Sequence, residues 1–262
     1  VTKIAVSGAC GRMGRLITRL VIEGPGIELV CALDAPGHPD LGKDAGLLAG
    51  CGEAGVAVTD SLTGEPDCVI DFSSPDAGLA RLEECEGSGT AIVIGTTGTG
   101  EDFLERAKAA CGKIACVAAP NMSVGMNVLF ATVGRVAKSL GPDYDVEIIE
   151  VHHNRKKDAP SGTALKLAES VQRDSGMKDL VHGRDGMVGE RGTAELGMHA
   201  VRGGDIVGWH TVLYAGPGET IEITHRVQSR ETFAAGAVRA AVFAASASPG
   251  LYSMADVLGI GE

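Results

Sequence analysis

Lys3-Ile4-Ala5-Val6-Ser7-Gly8-Ala9-Cys10-Gly11-Arg12-Met13-Gly14-Arg15 is the stretch on which the fold assignment turns. Its first part is a short apolar run of strand character, and its last part opens a helix that reads through residues 15–23. A second apolar run at residues 27–34 follows directly. Strand, glycine turn, helix and strand thus fall within about 30 residues, a βαβ unit whose crossover favours a parallel sheet. Gly8, Gly11 and Gly14 allow the backbone to approach a pyrophosphate at the positive end of the helix, although glycines in a tight βα turn also serve packing alone. The first pair is spaced G-x-x-G, a variant of the usual fingerprint.

The same rhythm continues outward. Residues 68–72, 91–95 and 114–118 are further strand-like runs, separated by helical stretches at 75–85 and 101–110. The expected class is α/β, a Rossmann-like doubly wound parallel sheet. After Pro120 the pattern changes to a helix at 125–140, a strand at 146–152, a loop and a helix at 163–173. Alternating β segments then run between Leu196 and Val227, with Ala215-Gly216-Pro217-Gly218 as a turn, which predicts antiparallel pairing within a second, α+β domain with a mixed sheet. The Ala-rich segment 232–247 reads as a helix returning to the first domain. The expected division is residues 1–122 completed by 230–262 as a dinucleotide-binding domain, and 123–229 as a substrate-binding and oligomerisation domain, with a hinge near Ser123 and Ser229.

Composition excludes several classes. Apolar residues make up 44% and charged residues 22% of the 262, ordinary usage for a folded, soluble chain. The net charge of −11 and the lack of a Lys/Arg stripe argue against a nucleic-acid partner. No run approaches the ~20 apolar residues of a membrane span, and no apolar leader opens the chain, so a cytoplasmic location is expected. The seven cysteines are scattered and read as reduced, mostly buried thiols. His38, His182, His199, His210 and His225 share no ligand-like spacing, so no metal is expected.

Two further features bear on the cofactor. Asp34 lies 20 residues beyond Gly14 at the end of the second strand, where a carboxylate can accept from adenosine ribose hydroxyls or stand as a solvated loop acid. Ala35 offers no guanidinium for a 2′-phosphate and the Asp34 charge repels one, which predicts NADH over NADPH; Arg12 and Lys43 are the cations that could still approach that phosphate. Gly95-Thr96-Thr97-Gly98 ends a strand at the edge where open α/β sheets bind ligands, although alone it reads equally as a turn.

The richest chemistry lies in Glu150-Val151-His152-His153-Asn154-Arg155-Lys156-Lys157-Asp158-Ala159-Pro160-Ser161-Gly162-Thr163-Ala164. Ser161, Gly162 and Thr163 open a helix whose unpaired N–H groups can hold a carboxylate, or simply form an N-cap. Lys156 can pair with the same or a second carboxylate, and a histidine can donate the proton that follows hydride arrival at a C=C or C=N bond. Neighbouring histidines on a strand face opposite ways, so either His152 or His153 enters the site unless the strand bends at its end.

These segments resemble the dihydrodipicolinate reductase family through residues 8–15, Gly95-Thr96-Thr97-Gly98 and residues 152–164. Residues 119–127, 203–208 and 229–237 are similar as well, so the likeness covers nearly the whole chain. The resemblance implies NAD(P)H-dependent reduction of a cyclic dicarboxylate, 4-hydroxy-tetrahydrodipicolinate, in lysine and diaminopimelate biosynthesis, by a homotetramer built on the mixed sheet. It also implies His152 as proton donor, Lys156 as catalytic lysine, and His153, Gly162 and Thr163 as substrate-binding. Gly8, Ala9, Cys10, Gly11, Arg12, Met13, Asp34, Gly95, Thr96, Thr97, Ala119, Pro120, Asn121 and Met122 are the implied cofactor contacts. Met122 stands where the family commonly has Phe, and Trp209 where Glu is usual. A sugar dehydrogenase is the competing enzyme reading, disfavoured by the lack of a Glu-Lys-Pro motif. A non-catalytic NAD(H)-sensing module is the other, disfavoured by the intact His152, His153 and Lys156.

Overall fold

The computed structural model describes residues 1–96 and 101–260, apart from the side chains of Glu101, Asp102 and Leu104. Thr97 and Gly98 of the predicted cofactor edge lie outside the described residues. The chain divides into two units, Val1–Val124 with Arg230–Glu262, and Gly125–Ser229.

The first unit opens with β1 (Thr2–Ser7), α1 (Arg12–Glu23), β2 (Ile27–Leu33), α2 (Ala45–Ala49) and β3 (Val58–Thr59). It continues with β4 (Cys68–Asp71), α3 (Pro75–Ser88), β5 (Ala91–Ile94), α4 (Glu101–Ala110) and β6 (Ala115–Ala118). The second unit contains α5 (Val124–Leu140), which starts at the division, then β7 (Asp145–His152), α6 (Gly162–Ser175), β8 (Asp179–His182), β9 (Glu195–Arg202), β10 (Gly208–Gly216) and β11 (Glu219–Val227). The first unit is completed by α7 (Glu231–Ala244), β12 (Gly250–Tyr252) and α8 (Met254–Leu258).

Seven strands form the first sheet in the order β3-β2-β1-β4-β5-β6-β12, every pair parallel. This is the expected α/β, doubly wound arrangement, with the strand order reversing beside β1. Its central strands are buried on both faces, which is why they read as continuous apolar runs rather than alternating ones. β3 and β12, of two and three residues, are too short to leave a pattern, and both lie at the sheet's edges. Ile4, Val6, Ile17 and Val21 join Ala234, Ala237, Ala240, Ala241 and Ala244 of α7 in one core. The alanines let α7 lie close: a side chain at Gly236 would collide with the backbone oxygen of Met122.

The second sheet runs β11-β10-β7-β9-β8. β10 pairs antiparallel with both β7 and β11, and Pro217 and Gly218 form the hairpin turn between β10 and β11. β9 lies parallel to β7 and β8, so the sheet is mixed, as expected, with its antiparallel pairing confined to β10 and the two strands beside it. The reason is topological: β7 occupies the place between β9 and β10, so these neighbours in sequence never pair. One face of the sheet, carrying Val146, Ile148, Leu196, Met198, Val212 and Tyr214, packs against Met126 and Val133 of α5 and Leu167 and Val171 of α6. Among the described residues no helix is long and apolar enough to cross a membrane.

Gly236→Ala should lower thermal stability by about 1–3 kcal/mol, the usual range for inserting a methyl into a close-packed contact. An unchanged melting temperature would show that α7 does not press on the Met122 segment as described.

Candidate functional site

In the first unit the glycine turn is a matter of steric necessity. Gly8 has φ +76°, and a Cβ on it would lie 2.6 Å from the carbonyl oxygen of Phe72; one on Gly14 would strike the carbonyl of Gly8 itself. The turn is tied down by backbone bonds from Gly8 N and Ala9 N to Leu33 O, and by Gly11 N to Gly8 O. Gly11 caps α1 with no side-chain cap bond, so the helix start has no side chain of its own to satisfy its N–H groups. Such an opening favours an anion.

Asp34 stands at the end of β2. Its Oδ2 accepts from Cys10 N at 2.8 Å and its Oδ1 from Ala35 N at 2.8 Å, so the carboxylate braces the turn it faces. A cavity of about 580 Å³ opens here, lined by Gly8, Gly11, Asp34, Phe72, Ser73 and Arg81 among others. The cradle of glycines, the open helix start and the carboxylate at the second strand's end fit a dinucleotide. Arg12 is exposed beside it, whereas Ala9, 4% exposed, points its side chain into the core and can offer only backbone. Gly95 and Thr96 lie at the adjoining strand end, where the Thr96 hydroxyl donates to Asp71 Oδ1 at 2.5 Å. Of the segment Ala119, Pro120, Asn121 and Met122, Met122 turns its side chain into the core at 2% exposure. Asn121 is held locally, its Oδ1 accepting from Ser123 N at 2.9 Å.

Sequence reasoning missed the wall contributed by the β4–α3 turn and α3. Ser73, Ser74, Ala77 and Arg81 line the cavity, and the Arg81 side chain is buried and paired with Glu84. Nothing in their residue types marks them; only the parallel order places β4 beside β1. Also unforeseen is the approach of Cys10, His38 and Asp40, whose ligand-type atoms lie within 4.8 Å of one another. Lys43, at 2.6 Å, and Arg15, at 3.2 Å, already engage the Asp40 carboxylate, so a dication would meet two cations, and no metal role is assigned. Burial, with the Asp34 charge beside it, pushes the Cys10 thiol up to about 11, so it is protonated at neutral pH.

The second unit gathers the other set. β7 ends at His152, whose carbonyl accepts from Gly203 N at 2.9 Å; His153 N then bonds Ile206 O, and Lys156 N turns back to His153 O. The strand therefore bends directly after His152. His152 itself is 8% exposed, and its Nδ1 lies 2.5 Å from Oε2 of Glu150, which is fully buried. Arg202 grips the same carboxylate with both Nη atoms at 2.7 and 2.8 Å, and Ser161 N donates to Glu150 Oε1 at 3.0 Å. The His152 ring meets that of His210 edge-on, with centroids 5.1 Å apart. A Cβ at Gly208 would come within 3.2 Å of His152 Nε2, so this glycine keeps the outer ring nitrogen clear.

Ser161 caps α6: its hydroxyl accepts from Ala164 N at 3.1 Å and bonds His210 Nε2 at 3.1 Å. At 2% exposure the Ser161 side chain is committed inward, and Gly162, exposed, and Thr163, half-buried, present the helix start to solvent. Burial pushes His210 down to about 3, so that ring is neutral at ordinary pH. Lys156 Nζ pairs at 2.9 Å with Asp158, whose side chain is 59% exposed. Glu150, Arg202 and His210 were not picked out from the sequence; the i, i+2 spacing of Glu150 and His152 on one strand face was the signal available.

The region 2–122 matches the family described as dihydrodipicolinate reductase, N-terminus, and the region 125–258 its C-terminus. Among curated proteins, the 4-hydroxy-tetrahydrodipicolinate reductase of Alkalilimnicola ehrlichii is 52% identical over 99% of each chain. That of Geotalea daltonii is 49% identical over 99% of this chain and 100% of its own. Among solved structures, the dipicolinate-bound dihydrodipicolinate reductase from Paenisporosarcina sp. TG-14 is similar with a TM-score of 0.76 and 26% identity, covering 97% of each chain.

The pH dependence of the second unit follows from two carboxylates. Burial opposes ionisation of Glu150, but hydrogen bonds from His152 and Arg202 outweigh it and hold the group down at about 2. At Glu147 burial is likewise outweighed, by Arg184, His199 and Arg191, again to about 2. A carboxyl whose folded-state pKa is depressed contributes stability above its unfolded value, here the ordinary 4.5, and that contribution is lost as pH falls through the folded value. Acid unfolding followed by the fluorescence of Trp209, the one tryptophan, should therefore fall between about pH 4.5 and 2. Glu147→Gln should weaken that pH dependence; an identical acid transition in the variant would contradict it.

Proposed function

For this chain, which belongs to the dihydrodipicolinate reductase family, we propose a division of labour in which the first unit holds the dinucleotide and His152 of the second supplies the proton. The activity itself is NAD(P)H-dependent reduction of 4-hydroxy-tetrahydrodipicolinate to tetrahydrodipicolinate with loss of water, a step of lysine and diaminopimelate biosynthesis. The observation that carries the proposal is the buried pairing of His152 with Glu150 next to the start of α6.

When bound, the dinucleotide supplies a hydride. Gly8, Ala9, Cys10, Gly11, Arg12 and Met13 would hold its pyrophosphate at the α1 start, with Asp34 at the ribose; Gly95, Thr96, Thr97 and residues 119–122 would complete the contacts. The Asp34 charge and the absence of a cation at Ala35 support NADH as the preferred form. Gly162 and Thr163 would hold one substrate carboxylate at the α6 start, with Ser161 fixing that start from within. Lys156 would exchange Asp158 for a substrate carboxylate, and His153 would flank it. His152 would hold its transferable proton at Nε2 and give it to the atom made electron-rich by reduction.

We also propose a homotetramer in the cytoplasm, the location being supported by membership of a biosynthetic family. Support for assembly lies on the second sheet's face opposite α5 and α6. There Ile149, Val201, Trp209 and Leu213 present apolar surface, Val201 being 47% exposed, and Arg226 lies 4.0 Å over the Trp209 ring. Trp209→Glu should shift the protein toward smaller species in sedimentation; an unchanged distribution would remove Trp209 from the contact.

The decisive assay follows NADH and NADPH oxidation while the preceding synthase generates the substrate from pyruvate and aspartate semialdehyde. Oxidation should depend on the synthase and be more efficient with NADH. His152→Gln should cost ~10²- to 10⁴-fold in kcat, the usual share of a general acid, with NADH affinity little changed. Near-wild-type turnover would remove His152 from the role, and equal efficiency with both dinucleotides would remove the preference.

A further inference from the structure

We propose that Glu150 is a positioning residue for this reaction, its buried carboxylate locking the His152 ring and the start of α6 into one rigid pair. The proposal rests on His152 as the proton donor.

The geometry is saturated. A carboxylate accepts at about four lone-pair sites. At Glu150 four donors take them: His152 Nδ1 at 2.5 Å and Arg202 Nη1 at 2.8 Å on Oε2, Arg202 Nη2 at 2.7 Å and Ser161 N at 3.0 Å on Oε1. Arg202 alone would neutralise the charge, and a buried ion pair by itself is weak evidence for a stabilising role. The two remaining acceptor sites go to the proton donor and to the loop that presents Gly162 and Thr163. An ionised carboxylate can only accept, so Nδ1 carries a proton and Nε2 is the nitrogen that exchanges with substrate. Gly208 keeps that side of the ring clear. His210, neutral and edge-on to His152 while bonded to Ser161 Oγ, closes the same loop of contacts from β10. Donor and anion site thus share one anchor, and their separation is set by a single side chain.

The test is a double-mutant cycle in the synthase-coupled assay. Glu150→Gln keeps the shape but lets an amide face Nδ1, and it should lower kcat ~10- to 100-fold, part of what a general acid contributes, with KM for the dicarboxylate and NADH affinity within about 3-fold of wild type. In a His152→Gln background the same change should cost less than about 3-fold, because there is no proton donor left to orient. Equal fractional losses in the two backgrounds, or no loss beside native His152, would overturn the proposal alone. Wild-type turnover of His152→Gln by itself would overturn the donor assignment and the proposal with it. Should Glu150→Gln destabilise the fold by stranding Arg202, the Glu150→Gln, Arg202→Met pair removes the stranded charge. Its melting temperature should recover while kcat stays low, and a kcat that recovered with stability would show Glu150 to be structural only.

Discussion

A carboxylate can be buried as an anion only if enough donors converge on it, and in the second unit that demand is met at Glu150 by groups from three places in the chain. His152 comes from the same strand, Ser161 from the start of α6, and Arg202 from the end of β9. Each of those groups is fixed by meeting it. The parallel pairing of β7 with β9 sets Arg202 opposite His152 in register, which puts the guanidinium within reach of the carboxylate two residues earlier. The bend after His152 then frees the following residues to form the loop that ends in the α6 cap. Charge neutralisation, strand register and helix capping are one arrangement seen from three sides.

The first unit is governed by a different constraint, the approach of backbone to backbone. Gly8 and Gly14 sit where a methyl group would meet a carbonyl, and Gly236 does the same against Met122. Absence of side chains brings α1 over β1 and α7 over the sheet, and it also leaves the α1 start open. Asp34 braces the turn by accepting from Cys10 N, so the residue proposed to meet the ribose also holds the loop proposed to meet the pyrophosphate. The fit for a dinucleotide is thus a by-product of how this βα turn closes.

Dividing the chemistry between two such units has a physical logic. A dinucleotide needs glycines, a helix start and one carboxylate, all of which a parallel sheet edge supplies. A cyclic dicarboxylate needs cations and a proton, and in the proposed reading Lys156, the α6 start and His152 of the second unit supply them, on a sheet whose other face carries Trp209 and Val201. The relatives that match both regions carry the name of the same reductase.

Much of this was written locally. The strand–glycine–helix pattern of residues 3–23 reveals its fold because the steric demand of the turn falls on adjacent residues, and the chemistry proposed for the His152 to Thr163 stretch could be read from sequence because its cations, histidines and helix start are contiguous. What the sequence could not determine depends on partners far along the chain. That β9 lies parallel to β7, that Ser161 turns inward, that Met122 is core, and that Arg202, 52 positions from Glu150, completes its shell are all results of sheet order and burial. A residue's type states which bonds it can make; only the tertiary structure decides which donors are left to reach it once water is excluded.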